Sequence, residues 1–292
     1  MKYRKLGRTG FEVSILSFGG LMLNNYPQDR ADKIVAEAVE NGINLFDVGP
    51  TYGDAEEKLG KAIKPYRDDI ILTCKTEPDQ SKGEVRRDLE NSLKKLNTDY
   101  FEIYQLHEVV SQSKIDRALA PGKALEGIIE AREEGLIKYI GFSTHNEQAA
   151  LKLMDAFDFD TVMFPVNWNY WLNDNQGMKV IEKAEETNKG VIAIKSLARS
   201  RWKNNVKKDG FETWYKPIYK NDKLSELAFK FTLSRNVDTA VSPSDIRMLK
   251  KAYQILDKNR ENLKLEDEEF KKLKKYAEDE NRKLFPFPEE VS

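Results

Sequence analysis

Asp47 and Tyr52 stand five residues apart in NLFDVGPTYG, Lys75 closes the apolar run IILTCK, and His107 closes FEIYQLH. A carboxylate, a phenol, an ammonium and an imidazole are the parts of a site that polarises a carbonyl and hands it a proton. A phenol with a free pKa of about 10 is a weak acid near neutrality. A neighbouring ammonium makes it a better donor, and a carboxylate paired with that ammonium holds it charged and oriented. Lys75 and Asp47 are the candidates for those roles. His107, with one donor and one acceptor when neutral, can hydrogen-bond a substrate oxygen or relay a proton.

Such groups must be delivered by rigid elements, and the chain alternates short β-rich runs with longer stretches of helical period. The strand candidates are Ile15 to Phe18, Ile43 to Phe46, Ile70 to Cys74, Phe101 to Gln105, Tyr139 to Phe142, Thr161 to Met163, Val191 to Ile194 and Thr239 to Val241. Helical stretches such as Ala31 to Glu40, Glu84 to Leu96 and Leu224 to Ser234 lie between them, apolar on one face and charged on the other. Eight βα units predict an α/β fold, a closed (β/α)8 TIM barrel, with extended loops at its C-terminal face. An open doubly wound sheet fits less well, because no GxGxxG follows the first strand, where Gly19 and Gly20 are only a pair. The opening segment, with Leu6, Val13 and Ile15 around a Thr-Gly turn, reads as an N-terminal β-hairpin over the barrel floor. No linker or repeat divides residues 1–292, so one barrel domain is expected. In a barrel, catalytic groups belong at the C-terminal strand ends, where Asp47, Lys75 and His107 fall.

Forty-eight basic residues against 49 acidic ones give a net charge of -1, which offers no field for nucleic acid or an anionic membrane. The single cysteine, Cys74, sits in a strand-like run and suits a reducing cytoplasm. The start, MKYRKLGRTG, lacks the apolar run of a signal peptide, and no stretch is long and apolar enough for a membrane span. A soluble, cytoplasmic chain with a small-molecule partner is expected. His107 and His145 are the only histidines, and no HxH, HExxH or Cys/His cluster exists, so no metal site is expected. His145 reads as a loop residue capping the helix that starts at Glu147.

The chain resembles the aldo-keto reductases nearly end to end. Asp47 and Tyr52 in FDVGPTYG, Lys75 in LTCK and His107 in YQLH match that family's Asp, Tyr, Lys, His tetrad, and YRKLGRTGFEVSILSFGG and EEKLGKAI resemble common family sequence. The resemblance implies an oxidoreductase that reduces aldehydes or ketones with a nicotinamide cofactor. Tyr52 would be the general acid, Lys75 would lower its pKa, Asp47 would pair with the lysine and His107 would orient the carbonyl. NADPH is the first choice of cofactor, with NADH open, and a monomer is the default state.

The same resemblance places the cofactor. Gly20 follows the first strand; Ser143, Thr144 and Asn167 would face the carboxamide; Ile194 or Lys195 stands where the family often stacks an aromatic. Ser196, Leu197, Arg199 and Arg201 open a loop running to Lys220, basic and aromatic with Lys203, Lys207, Lys208, Trp202, Trp214 and Tyr215, read as a flap over the pyrophosphate. Ser242, Ser244 and Asp245 follow the last strand near the adenosine end. Leu21, Met22, Tyr26 and Trp168 are the leading candidates for the carbonyl pocket, with Tyr170, Trp171, Phe285 and Phe287 behind them. Two rival readings use the same fold: a nicotinamide-binding regulatory or sensor protein with little turnover, and a sugar-phosphate isomerase with Glu108 as base.

Overall fold

A computed structural model describes residues 1–203, 208–280 and 283–285. Strands β1 (Tyr3–Lys5) and β2 (Glu12–Ser14) form an antiparallel hairpin. The barrel strands are β3 (Leu16–Gly19), β4 (Leu45–Asp47), β5 (Ile71–Thr76), β6 (Phe101–Leu106), β7 (Ile137–Ser143), β8 (Thr161–Pro165) and β9 (Gly190–Ile194). A second hairpin, β10 (Ala198–Arg201) with β11 (Tyr215–Pro217), precedes the last barrel strand, β12 (Thr239–Val241). β12 pairs with both β9 and β3, so eight parallel strands close on themselves. Helices α1 (Gln28–Glu40), α2 (Ala55–Ile63), α3 (Lys82–Leu96), α4 (Gln112–Leu119), α5 (Ala124–Glu133), α6 (Glu147–Ala156), α7 (Trp168–Asp174), α8 (Met178–Glu186), α9 (Asp222–Leu233), α10 (Ile246–Lys258) and α11 (Asp267–Asp279) complete the chain. The (β/α)8 expectation holds, and each expected strand is found with ends shifted by two residues or fewer.

Alternation along the strands stacks the barrel interior in layers. Leu45, Ile71, Ile103, Met163, Ile192 and Val241 pack together with Leu6 and Val13 of the first hairpin. The opening segment therefore supplies part of the barrel filling as well as covering the floor. Leu6 and Val13 are fully buried, each worth roughly 1.5–3 kcal/mol of burial. Two residues further along their strands, the same inward face carries Asp47, Thr73 and Gln105. Lys75 and His107 come next. The outward residues between them, Phe46, Leu72, Cys74 and Tyr104, join the core beneath the helices. Period two thus turns FD, ILTCK and IYQLH into a polar floor above an apolar plug.

The helices start where short polar side chains can take up free amides. Ser81 and Glu84 form a capping box on α3, Asn146 caps α6, Asn221 caps α9 and Asp245 caps α10. The capping role expected of His145 therefore belongs to its neighbour Asn146, which frees the imidazole for the cavity. Among the described residues no helix is long and apolar enough to cross a membrane.

Candidate active site

Asp47 ends β4, Lys75 lies in the last turn of pleat of β5, and His107 follows β6 directly. Lys75 Nζ donates to Asp47 Oδ1 at 2.5 Å and to the Val48 carbonyl at 3.0 Å. Thr73 Oγ1 donates to the same Asp47 oxygen at 2.7 Å, with the Gln105 amide at 3.4 Å. These contacts hold Asp47 from two neighbouring strands, so Lys75 has one place to point. Its ammonium lies 5.1 Å from the centre of the Tyr52 ring. The His107 ring stands edge-on to Tyr52 at 6.2 Å, and its Nδ1 contacts Glu77 Oε1 at 2.9 Å, which leaves Nε2 for another partner.

Burial pulls the Lys75 pKa down, but the attraction of Asp47 and Tyr52 outweighs it, and the ammonium is held above its ordinary value. For Tyr52 the balance runs the other way. Burial pushes the phenol up and prevails over the downward pull of Lys75. Lys75 does act on Tyr52 in the direction the resemblance implies, yet the phenol keeps its proton across the neutral range. A proton donor needs that proton in place before the reaction begins.

The tetrad opens into a cavity of about 460 Å³, a size suited to small-molecule sites. Leu21, Met163, Ile194, Leu197 and Val241 make its apolar wall; Ser143, Arg201, Thr213, Ser242 and Ser244 add polar groups. Trp214, more than half exposed, hangs over Tyr52 with ring centres 6.0 Å apart. The second hairpin is thus a lid over the tetrad.

A family-wide comparison matches residues 15–278 to the Aldo/keto reductase family. The chain belongs to that family. The Bacillus subtilis (strain 168) oxidoreductase YqkF is 27% identical over 277 residues, covering 88% of this chain and 83% of its own. The L-galactose dehydrogenase of Arabidopsis thaliana is 29% identical over 213 residues, 68% of this chain and 66% of that one. Among solved structures, the holo form of aldo-keto reductase AKR11C1 from Bacillus halodurans superposes with a TM-score of 0.73 at 25% identity, covering 95% and 96% of the two chains. NAD(P)H-dependent oxidoreduction is accordingly the general chemistry of this aldo-keto reductase.

The expected cofactor residues divide. Ser143, Ile194, Lys195, Leu197, Arg201, Ser242 and Ser244 line the cavity. Gly20 does not; it packs against β4, where a Cβ would meet the Asp47 carbonyl at 2.8 Å. Thr144 is buried and takes up the Asn146 amide. Asn167 is consumed by its neighbours, donating to the carbonyls of Lys195 and Ala198 at 2.8 Å and capping α7 with its oxygen. The β8 residue that does face the cavity is Met163, a thioether with no amide to offer. Ser196 is buried, and Arg199 turns away to Glu280, Nε to Oε2 2.5 Å. Asp245 is engaged by the Arg247 guanidinium and the α10 amide.

Of the expected carbonyl-pocket residues, Leu21 lines the cavity while Met22 and Trp168 are fully buried in core contacts, the Trp168 indole donating to the Ala198 carbonyl. Tyr26 stands half-buried beside Asp245 and Ile246. Phe285 reaches the site through its stack on His145, with ring centres 4.7 Å apart; Phe287 and Lys207 lie outside the described residues. Three cavity groups carried no site assignment together in the sequence: Glu108, His145 and Lys195. Lys195 Nζ and His145 Nε2 are 2.8 Å apart, and His145 Nδ1 is 3.5 Å from Glu108 Oε1. Their signal, a polar residue just after each of three strand ends, was present in QLHE, FSTH and AIK.

The residues around the tetrad fit a nicotinamide cofactor in kind: an apolar wall for a flat ring, one hydroxyl at Ser143, and Arg201 with two serines for an anionic linker. Its carboxamide would meet fewer polar partners than the sequence suggests.

Proposed function

We propose that this enzyme reduces aldehydes or ketones to alcohols, with Tyr52 as general acid and the substrate oxygen held between Tyr52 and His107. The observation that carries the reading is a buried phenol whose ring lies 5.1 Å from a cation that is fixed by its own carboxylate. The reduced nicotinamide, when bound, supplies the hydride. As charge builds on the substrate oxygen, the Tyr52 hydroxyl donates its proton, because an alkoxide is a far stronger base than a phenolate. Lys75 eases that transfer by stabilising the phenolate left behind, and Asp47 keeps the ammonium in place. His107, tied at Nδ1 by Glu77, presents Nε2 to the same oxygen. The Trp214 lid limits water around the reacting atoms.

NADPH is the expected donor, with NADH as the alternative, and Ser143, Ile194, Leu197, Arg201, Ser242 and Ser244 are the residues offered to it. An isomerase reading is less well supported, since its candidate base Glu108 is engaged by His145. The test is a tryptophan-fluorescence titration with each cofactor, followed by an aromatic aldehyde added to the tighter complex. Binding followed by cofactor oxidation supports the reductase. Binding with no oxidation across a panel of aldehydes would favour a sensor on the same fold.

A further inference from the structure

Glu108, His145 and Lys195 arrive from three different strand ends, after β6, β7 and β9, and meet in one wall of the tetrad cavity. Nδ1 of His145 faces the Glu108 carboxylate and Nε2 faces the Lys195 amine, so the imidazole stands between acid and base. With Nδ1 protonated towards Glu108, Nε2 accepts from Lys195, a tautomer assigned from those partners. The rings of Tyr215 and Phe285 lie 5.0 and 5.4 Å from the same ammonium. Phe285 also stacks on the imidazole, and the Tyr170 hydroxyl donates to the His145 carbonyl at 2.7 Å. The amine is therefore aimed, as a nucleophile or base in a hydrolase triad is aimed, by a chain of groups behind it.

The backbone carries the same message. Asn97, Asn175, Asn188 and Asp209 have positive φ, as their side chains readily allow, but Glu108 at 51° and Lys195 at 62° do so as well. Long side chains adopt that region at a cost, and such strain concentrates at functional sites. In this conformation both side chains reach one imidazole.

The charge balance says what the amine is for. Asp47 and Lys75 neutralise each other, and the imidazole of His145 stands between Glu108 and Lys195, so the carboxylate acts on the amine without touching it. Among the described residues no carboxylate oxygen pairs with Lys195 Nζ, whose one hydrogen-bond partner is the His145 ring nitrogen. Burial brings the Lys195 amine down to about 7 against the upward pull of Glu108; a lysine nitrogen with N–H groups to spare, inside a small cavity, is a site for an anion, whose charge would hold the proton on it. We propose that Lys195, positioned by His145 and Glu108, binds a carboxylate carried by the carbonyl substrate, so that the enzyme prefers aldehyde and keto acids to neutral carbonyls. The proposal rests on the reductase reading and adds the substrate class to it.

The experiment compares 4-carboxybenzaldehyde with 4-methylbenzaldehyde, alike in shape and different in charge, on the wild type, Lys195→Met, Lys195→Arg and His145→Ala. Cofactor affinity is measured on each protein by fluorescence. Lys195→Met is expected to raise KM for the carboxylate at least about tenfold and KM for the neutral aldehyde less than about threefold, with cofactor Kd nearly constant. Lys195→Arg should recover much of the loss, and His145→Ala should show a smaller loss of the same selectivity. An equal rise for both aldehydes, a wild type that favours the neutral one, or a weakened cofactor Kd in Lys195→Met would overturn the proposal, the last by giving Lys195 to the cofactor phosphates. If neither aldehyde turns over, the reductase reading fails by itself. Binding of 4-(hydroxymethyl)benzoate against 4-methylbenzyl alcohol then decides the anion site, and carboxylate binding indifferent to Lys195→Met overturns it.

Discussion

Lys75 Nζ sits 2.5 Å from Asp47 Oδ1, and the two side chains are 1% and 6% exposed. A charge pair this deep contributes less to stability than its geometry suggests, because both ions have lost their water, but removing one partner strands the other. Lys75→Met should therefore cost roughly 3–5 kcal/mol in urea unfolding and abolish most turnover. The double variant Lys75→Met, Asp47→Asn should regain part of the stability and none of the activity. A double variant no more stable than the single one would show that the stranded carboxylate is not the cause.

Tyr52→Phe removes one hydroxyl from a ring that the His107 and Trp214 edges continue to hold. Turnover should drop about 10²- to 10⁴-fold while cofactor affinity stays within about threefold. Undiminished turnover would remove Tyr52 from the chemistry.

Burial, with help from the Lys195 cation and against Glu108, brings the His145 pKa down to about 4. In the unfolded chain it returns to about 6.5. A depressed folded pKa means that the unfolded state binds more protons between those values, so this contribution is present above about pH 6.5 and lost as pH falls towards 4. Glu108, Lys195 and His107 are the charged or titratable groups facing it. Chemical denaturation from pH 7 to pH 4 should show a decline that His145→Gln makes shallower; equal slopes in the two proteins would place the acid sensitivity elsewhere.

Arg247 is locked at the start of α10. Its Nε and Nη2 donate to Asp245 at 2.9 and 2.7 Å, its guanidinium lies 3.6 Å from the Phe211 ring centre, and Nη2 also reaches the Gly210 carbonyl at 2.8 Å. Asp245→Ser retains a capping oxygen for the helix and releases the guanidinium from its carboxylate. The kcat/KM ratio of NADPH over NADH should rise about tenfold, since a freed arginine can pair with a 2'-phosphate. A constant ratio would place the adenosine end away from this helix.

Much of this arrangement is legible in the chain because strand alternation is a local property. FD, ILTCK and IYQLH each carry their inward residues two apart, and those residues are the apolar plug, the Asp47, Thr73 and Gln105 layer, and the proposed catalytic groups above it. Residue type and strand-end position make Asp47, Lys75 and His107 candidates, Tyr52 joins them from the following loop, and the family resemblance assigns the four their proposed roles. Asn167 misleads for an equally physical reason: an amide just before a helix has free backbone N–H groups to satisfy, and α7 claims it. Trp168 and Met22 look like pocket walls by composition, but large apolar side chains serve cores more often than cavities.

By itself the sequence determined the alternation of strands and helices, the inward face of each strand, and a tetrad whose residue types admit carbonyl chemistry. Tertiary structure decided which strand ends meet. Closure of β12 onto β3 turned separate strand ends into one cavity rim, and the positive φ of Glu108 and Lys195 swung two long side chains onto the same imidazole. No local pattern carries that meeting, because Glu108, His145 and Lys195 are far apart along the chain and adjacent only once the barrel has closed.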